Sequence, residues 1–234
     1  MSLTYRIKKL LGYNINQLDV EVHKKQSEKL ILNYLQNNRE TKLQIGAQGS
    51  PMQGWLNVDI LPKTKDTAYM DATKKFPFQD NTFDFIFAEH MIEHITFVEA
   101  KLMLNECFRV LKPSGVIRLA TPNLDNLTLL LSDPTKKEHQ EYIQFYVEKF
   151  YGKDYPNIPA LQINKLFYAF HHRFIHNFDS LNYILMDVGF KNIKQCDVYV
   201  SGYIALQKIE HHASMIGEKN NKLETLIVDR KSVV

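Results

Sequence analysis

A glycine-bearing turn and two aspartates are the first residues in this sequence whose spacing could do chemistry. A short apolar run at residues 43–45 leads into Gly46-Ala47-Gln48-Gly49, and Asp59 and Asp71 follow two later apolar runs. Glycine lets a ligand approach the backbone closely at such a turn. A carboxylate at Asp59 could accept from both hydroxyls of a ribose, and one at Asp71 from the amine of an adenine. These residues predict nucleoside binding, although the aspartates could also cap turns or helices. The turn matches neither the dinucleotide fingerprint nor the P-loop.

His90, Glu93 and His94 form a second candidate site. Their spacing, His-x-x-Glu-His, is the inverted zinc-protease pattern. On a helix the two histidines could share a zinc ion, with Glu93 as general base. The motif is short, and no distant third ligand stands out, although Glu99 and Glu106 are candidates. A zinc hydrolase is therefore a minor alternative, and we predict no metal site.

The elements that must position these residues follow from the spacing of apolar residues. Two segments have the period of amphipathic helices, and five short apolar runs are typical of buried strands. The predicted helices are 19–36 and 96–111, and the predicted strands are 43–45, 55–60, 67–70, 83–87 and 116–120. Alternating strands and helices favour an α/β fold with a parallel sheet, in which ligands bind at the carboxyl ends of the strands.

A helical segment interrupts this pattern at residues 123–178. Eleven aromatic residues lie between positions 142 and 178, together with His171, His172 and His176. We expect this insertion to cover the ligand-binding edge of the sheet and to select the substrate. Most of its aromatic side chains should pack in its own core. The tyrosines should line the substrate pocket, because each has a polar tip; they are Tyr142, Tyr146, Tyr151 and Tyr168.

The remainder of the chain predicts a return to alternation and then a polar tail. A helix at 180–188 precedes two neighbouring strands at 193–200 and 203–208. The tail covers residues 210–234, and its apolar residues 226–228 could add a strand, either to this sheet or to a partner molecule. We therefore predict one domain over residues 1–234, with 123–178 as an insertion.

Composition and charge exclude several classes of protein. The chain has 234 residues, of which 44% are hydrophobic and 24% charged, as is typical of a folded globular protein. The net charge is only +3, and the basic residues occur as scattered pairs, so no nucleic-acid partner is predicted. No apolar run is long enough for a membrane span, and residues 1–11 lack the pattern of a secretion signal. Cys107 and Cys196 have no partner at a metal-ligand spacing, and a cytoplasmic location is expected.

Six segments of the sequence resemble the class I S-adenosylmethionine-dependent methyltransferases, and most closely the bacterial type 11 branch often found among cell-surface glycan genes. The segments are QIGAQG (44–49), GWLNVDI (54–60), DA (71–72), FPF (76–78), NTFDFIFAEHMIEH (81–94) and LNECFRVLKPSG (104–115). The resemblance covers residues 40–125 well and 165–195 loosely, and the segment 81–94 is its most specific part.

The resemblance implies a Rossmann-like fold. It has a seven-stranded, mostly parallel sheet, helices on both faces and a helical insertion after the fifth strand. It also implies S-adenosylmethionine as the cofactor. The glycine turn would lie under the methionine, Asp59 would hold the ribose, Asp71 the adenine amine, and residues 88–90 would line the methyl-donor pocket. The predicted cofactor-binding residues are Gly46, Ala47, Gln48, Gly49, Asp59, Ile60, Asp71, Ala72, Ala88, Glu89 and His90.

These observations predict methyl transfer to a small-molecule acceptor, with a sugar or glycan precursor suggested by the resemblance alone. A sulfonium methyl group is already a strong electrophile, so the enzyme mainly has to align the reactants. A hydroxyl acceptor would also need a base, for which His172 is the first candidate, followed by His176 and His90. Family members usually have glycine at the position of Gln48. This departure keeps open an alternative, a non-catalytic cofactor- or partner-binding protein. The oligomeric state that we consider for the protein is a homodimer.

Overall fold

A seven-stranded mixed sheet runs through the described residues, 17–152 and 154–231, of this computed structural model. The prediction made for residues 1–11 lies outside these residues. The chain divides into two compact units, called unit 1 and unit 2 below. Of the described residues, unit 1 contains 17–88, Leu102–Ile117 and Lys231, and unit 2 contains Glu89–Lys101, 118–152 and 154–230.

The strands and helices are numbered in chain order. The strands are β1 (Lys42–Ile45), β2 (Leu56–Asp59), β3 (Thr67–Tyr69), β4 (Phe83–Glu89), β5 (Leu111–Pro122), β6 (Lys194–Cys196) and β7 (Thr225–Lys231). The α-helices are α1 (Gln17–Asn37), α2 (Phe97–Val110), α3 (Leu124–Ser132), α4 (Lys137–Tyr146), α5 (Pro159–Tyr168), α6 (Phe178–Val188), α7 (Ala213–Ile216) and α8 (Glu218–Glu224). Short 3-10 turns lie at Ile92–His94 and Ile204–Leu206, and a π-helical turn at Val147–Tyr151 follows α4.

The strand order is β3-β2-β1-β4-β5-β7-β6. Strand β1 is parallel to β2 and β4, β2 is parallel to β3, and β6 is antiparallel to β7. Ile45 lies in register with Val58 and with Ala88, so β1, β2 and β4 reach the same edge of the sheet together. The order of strands reverses between β1 and β4, which is where parallel sheets bind ligands. This topology confirms the predicted Rossmann-like fold.

Local sequence explains where α2 begins and which of its faces is buried. The Thr96 hydroxyl accepts from the Glu99 backbone N–H, and the Glu99 carboxylate accepts from the Thr96 backbone N–H, which forms a capping box. Further along the helix, Met103, Cys107 and Val110 are fully buried at helical spacing. Glu99, considered as a third zinc ligand, therefore has a structural role.

Three structural predictions made from the sequence are wrong. Strand–helix alternation does not hold for residues 42–89, which contain only strands and turns. Residues 203–208 contain a 3-10 turn, Ile204–Leu206, rather than a strand: Leu206 is buried but Ile204 is 88% exposed, and Lys208 has φ +56°, which an extended strand does not allow. A partner strand from 226–228 is also wrong, because β7 lies between β5 and β6 of the same chain.

The segment predicted as an insertion forms helices α3 to α5 in unit 2. Its core includes Leu127, Leu130, Ile143 and Leu166, all at most 3% exposed, with several partly buried aromatic rings packed against it. The residues of the predicted tail form α7, α8 and β7. The division into domain, insertion and tail stays a prediction. None of the described helices is both long and apolar enough to cross a membrane.

Candidate active site

The glycine turn after β1 is closed by the carboxylate of Asp59 in unit 1. The Gly46 N–H donates to the Val58 carbonyl at 2.9 Å. The Gln48 N–H donates to Asp59 Oδ2 at 2.8 Å, and the Leu61 N–H donates to Asp59 Oδ1 at 2.7 Å. Gly46 and Gln48 have φ values of +80° and +45°. Asp59 therefore fixes the turn to the end of β2, and its role toward a ribose stays a prediction.

Two polar side chains, on β1 and β2, hold the loop that follows the glycine turn. The Met52 N–H donates both to Gln44 Oε1 at 3.1 Å and to Asn57 Oδ1 at 2.9 Å. The Gln44 amide also donates to the Ser50 carbonyl at 3.3 Å. The loop is therefore held by the buried amides of Gln44 and Asn57. Polar residues in the middle of short buried strands were the sequence signal for this role.

Asp71 stabilises the turn after β3. Its Oδ1 accepts from the backbone N–H of Thr73 at 3.0 Å and from the Thr73 hydroxyl at 2.7 Å. The capping role considered from the sequence is therefore present, and the adenine contact stays a prediction.

A cavity of about 280 Å³ lies beside the loop between β2 and β3. Its lining residues are Gln26, Ser27, Pro62, Lys63, Thr64, Lys65 and Thr67. None of the predicted cofactor-binding residues lines this cavity, so it does not support the predicted site.

In unit 2, His90 is held by a buried glutamate directly after β4. Its Nδ1 lies 3.1 Å from Glu93 Oε1, and the Thr121 hydroxyl donates to Glu93 Oε2, also at 3.1 Å. Burial alone would raise the pKa of Glu93, but the hydrogen bond from His90 and the nearby imidazoles lower it to about 2. For His90 the effects are opposite: burial by itself would lower its pKa, but the hydrogen bond to Glu93 and the charge of Glu93 have a larger effect. The pKa of His90 is therefore raised. Glu93 is thus an ionised carboxylate in the interior.

A second histidine–carboxylate pair contacts the first. His212 Nε2 lies 2.8 Å from Glu224 Oε1, and the hydroxyls of Tyr142 and Tyr146 donate to Glu224 Oε2. The rings of His90 and His212 stack, with centroids 3.6 Å apart and 28° between their planes. His212 and Glu224 were not predicted from the sequence, because they follow His90 by more than 100 positions and belong to no short motif.

Glu89 has protein partners of its own. Its carboxylate accepts the backbone N–H groups of His211 and His212 at 2.9 Å. Glu89 and His90 were predicted to line the methyl-donor pocket. In the structure both side chains already contact other groups of the protein. The cofactor roles of Ala88, Glu89 and His90 stay predictions.

Of the other two predicted bases, His172 lies beside His94 and His176 lies in the core of unit 2. The rings of His94 and His172 are 4.9 Å apart and inclined by 69°. His176 is fully buried between the rings of Phe97 and Phe174, with Nδ1 3.1 Å from the Ser180 hydroxyl. Burial lowers the pKa of both His172 and His176 to about 4.

The predicted substrate-lining tyrosines have different environments. Tyr142 and Tyr146 are buried and bonded to Glu224, and burial raises the pKa of both. Tyr151 is half-buried, and burial raises its pKa to about 12. Tyr168 is 77% exposed. The structure therefore groups Tyr142 with Tyr146 and gives Tyr151 and Tyr168 different environments, and a common lining role stays a prediction.

The inverted zinc-protease arrangement does not form among the described residues. The motif lies on a 3-10 turn, Ile92–His94, rather than on an α-helix, so His90 and His94 are not one helical turn apart on a common face. His90 instead contacts Glu93 and His212. Glu106, the other third ligand considered, is bonded to Arg109.

Comparison with known proteins gives one family match and a group of similar structures. Residues 56–119 match the methyltransferase domain family. No curated protein matches the chain. A SAM-dependent methyltransferase from Archaeoglobus fulgidus is 16% identical over 98% of this chain and 100% of its own, with a TM-score of 0.47. A Haloferax volcanii protein in complex with the Trm112 methyltransferase activator is 13% identical over 92% of this chain and 93% of its own, with a TM-score of 0.48. Phosphoethanolamine N-methyltransferase 2 of Haemonchus contortus, in complex with S-adenosyl-L-methionine, is 14% identical over 90% of this chain and 53% of its own. Its TM-score is 0.44.

The family match begins at β2 and ends within β5, so it includes Asp59, Asp71 and the segment around His90. It confirms the predicted class of enzyme, a methyltransferase.

Proposed function

We propose that the protein binds S-adenosylmethionine at the glycine turn of unit 1 and methylates a small-molecule acceptor, with a sugar or glycan precursor as the acceptor class. The observation that carries the first part is the Gln48 N–H bonded to Asp59 at 2.8 Å, because it joins the turn to the end of β2. The acceptor class rests on the resemblance of residues 40–125 to the type 11 branch.

The register of the strands supports this location for the cofactor. Ile45, Val58 and Ala88 lie side by side in β1, β2 and β4. Gly46 and Asp59 follow directly, at the carboxyl ends of the strands beside the reversal of strand order. The Asp59 carboxylate, already fixed by two backbone N–H groups, is held in one orientation before a ligand arrives. The proposed contacts are Gly46, Ala47, Gln48, Gly49, Asp59, Ile60, Asp71 and Ala72.

Unit 2 offers polar groups for an acceptor. His90 Nε2 and His172 Nδ1 are buried, and neither has a hydrogen-bond partner among the described residues. Buried ring nitrogens of this kind are normally satisfied, so a polar ligand would stabilise them. We assign His90 to acceptor contact. His172 stays a candidate for acceptor contact, either directly or through a bound ion. His176 Nε2 is also buried without a partner among the described residues, but the enclosure of its ring by Phe97 and Phe174 favours a packing role.

Titration calorimetry tests the cofactor site directly. Wild-type protein should bind both S-adenosylmethionine and S-adenosylhomocysteine, and Asp59→Asn should weaken both at least about tenfold, since the amide removes the negative charge and half of the acceptor capacity. Asp66→Asn, at an exposed position in the same unit, is the matched control and should bind normally. Thermal unfolding of each variant separates loss of the site from loss of the fold. Failure of the folded wild type to bind either ligand would refute the proposal, as would normal binding by Asp59→Asn.

One observation favours a second candidate, a methyltransferase-like binding protein without turnover. Gln48 places a long side chain at a positive-φ position of the cofactor turn. Methylation assays with a panel of sugars and glycan precursors, run on protein that binds the cofactor, distinguish the two. Transfer of a radiolabelled methyl group to any of them supports the enzyme. Cofactor binding without transfer across the panel supports the binding protein.

A further inference from the structure

Glu93, His94 and His172 lie close together in unit 2, and we propose that they bind one divalent transition-metal ion, with zinc as the first candidate. One ligand atom from each residue lies within 4.8 Å of one from each of the others. Two imidazole nitrogens and one carboxylate oxygen are a common ligand set for zinc. Metal binding here does not depend on the proposed cofactor site, whereas any use of the ion in methyl transfer would.

The backbone brings the three residues together. Glu93 and His94 belong to the 3-10 turn after β4. The Glu93 carbonyl accepts the backbone N–H groups of Arg173 at 2.7 Å and Phe174 at 3.2 Å. These two bonds hold the segment that carries His172 against the turn. The site is therefore positioned by main-chain contacts rather than by side chains alone.

Ring geometry distinguishes this group from a second one. His90, His212 and Glu224 also offer ligand atoms within 4.8 Å of one another. The rings of His90 and His212, however, are stacked with only 28° between their planes, so their in-plane lone pairs do not converge on one point. The rings of His94 and His172 are inclined by 69° at 4.9 Å, a geometry in which one nitrogen from each can reach a common ion.

Two of the three ligands have surroundings that suit a metal site. His172 Nδ1 is buried without a hydrogen-bond partner in the described part of the chain, and a bound ion would give this nitrogen a partner. The Glu93 carboxylate is fixed by His90 and Thr121, both at 3.1 Å. In this arrangement Glu93 is a ligand and His90 orients it, unlike in the zinc-hydrolase pattern.

Charge gives an independent reason for a cation. Glu93 is fully buried, and its only ion-pair partner among the described residues is His90. A buried carboxylate is stabilised by nearby positive charge, and no lysine or arginine of the described residues forms an ion pair with Glu93. A divalent ion would add to the charge that His90 can supply. Because His94 and His172 are only partly buried, the fourth position of a tetrahedral ion could hold a water molecule or an acceptor hydroxyl.

Metal binding can be measured without any activity assay. The full chain would be stripped with a chelator, titrated with zinc chloride by calorimetry, and dialysed for metal analysis. We expect one ion per chain, with affinity reduced at least about tenfold in His94→Asn and in His172→Asn. His171→Asn is the matched control: it neighbours His172, is exposed, and has φ +61°, which asparagine tolerates. This variant should bind zinc as the wild type does.

The possible outcomes distinguish this metal site from the second group of possible ligands and from the proposed cofactor site. Absence of stoichiometric zinc in folded wild-type protein would overturn the proposal, as would normal binding by both His94→Asn and His172→Asn. Loss of zinc in His212→Asn but not in His172→Asn would assign the ion to the other group, which also overturns it. Cobalt substitution gives a second readout, since the visible spectrum of a four-coordinate site should disappear in His172→Asn. S-adenosylhomocysteine binding, measured on the same samples, shows whether the cofactor proposal fails separately.

Discussion

At Gln48 the backbone adopts a conformation that suits glycine better than glutamine. Its φ of +45° places a β-carbon where it crowds the backbone, at a cost of roughly 1–2 kcal/mol. We predict that Gln48→Gly raises the free energy of unfolding by about 1 kcal/mol. It should also tighten binding of S-adenosylhomocysteine, because a side chain is removed from the turn. Urea unfolding and calorimetry measure the two effects.

The control for this substitution is Gln53→Gly, in the same loop. Gln53 is exposed and is not among the described residues with positive φ, so glycine there should only increase the flexibility of the unfolded chain. Its unfolding free energy should fall slightly or stay unchanged. Lower stability for Gln48→Gly than for the wild type would contradict the strain assigned to this turn.

Single residues were predictable where a motif and a strand end coincide. Gly46 and Asp59 lie at the edge expected from their positions after two apolar runs. His212 and Glu224 were not predictable in this way, because they meet His90 only through folding. Glu99 and Glu106 were considered as zinc ligands, but each is used by its own helix, Glu99 to cap α2 and Glu106 to bind Arg109.

At the scale of elements, α2 is tied to the loop before β4 through Glu106 and Arg109. The Glu106 carboxylate accepts from Arg109 Nε and Nη2 and from the Phe76 N–H at 2.7 Å. Arg109 also donates to the Phe78 carbonyl at 2.9 Å and to Asp80 at 2.7 Å. The hydrogen bonds from Arg109 lower the pKa of Glu106. The contact therefore depends on an ionised glutamate.

Stability should accordingly depend on pH through Glu106. A carboxyl group whose pKa is lower in the folded protein stabilises it above the unfolded value, near 4.5, and this contribution disappears as pH falls through the folded value. We predict that Glu106→Gln costs about 1 kcal/mol at pH 6, a modest figure because the pair is partly exposed. The difference from wild type should shrink below pH 4. Urea unfolding at pH 6 and 3.5 measures it. Asp80→Asn, at the exposed end of the network, should change stability little at either pH, and an equal loss in both variants would contradict this assignment.

Long, periodic elements were predicted well, and the five short apolar runs before residue 121 were predicted correctly as strands β1 to β5. The run at 203–208 was not predicted correctly. Helix α2 was expected at 96–111 and observed at Phe97–Val110, because its buried residues repeat at helical spacing and its ends carry capping signals. Residues 203–206 are also apolar, yet Ile204–Leu206 form a 3-10 turn. In a run of six residues, local periodicity does not decide which strand a segment can pair with. The place beside β6 is taken by β7, from the far end of the chain.

At the scale of the whole molecule, contacts that no local pattern shows join distant parts of the sequence within unit 2. Arg118, on β5, donates to Glu210 and Asp229, which are 92 and 111 positions away. All three are at most 5% exposed. Burial alone would lower the pKa of Arg118, but the two carboxylates raise it, and burial raises the pKa of Glu210. Arg230, on β7, is equally buried, yet its guanidinium has no hydrogen-bond partner among residues 17–152 and 154–231 and lies over the Phe190 ring.

The two arginines allow a matched test of buried charge. Arg118→Met should lower the free energy of unfolding by about 3–5 kcal/mol, because Glu210 would lose its cation inside the protein. Arg230→Met should cost less than about 1 kcal/mol or stabilise, since an apolar chain replaces a desolvated cation whose pKa is already lowered to about 10.

The loss of unfolding free energy in Arg118→Met should also be smaller at pH 5 than at pH 7. A carboxyl group whose pKa is raised by folding binds its proton more tightly in the folded state, so falling pH stabilises that state. Urea unfolding of both variants at both pH values decides the matter. Equal losses in the two variants would mean that Arg230 has a stabilising partner, and that its contribution to the sheet resembles that of Arg118.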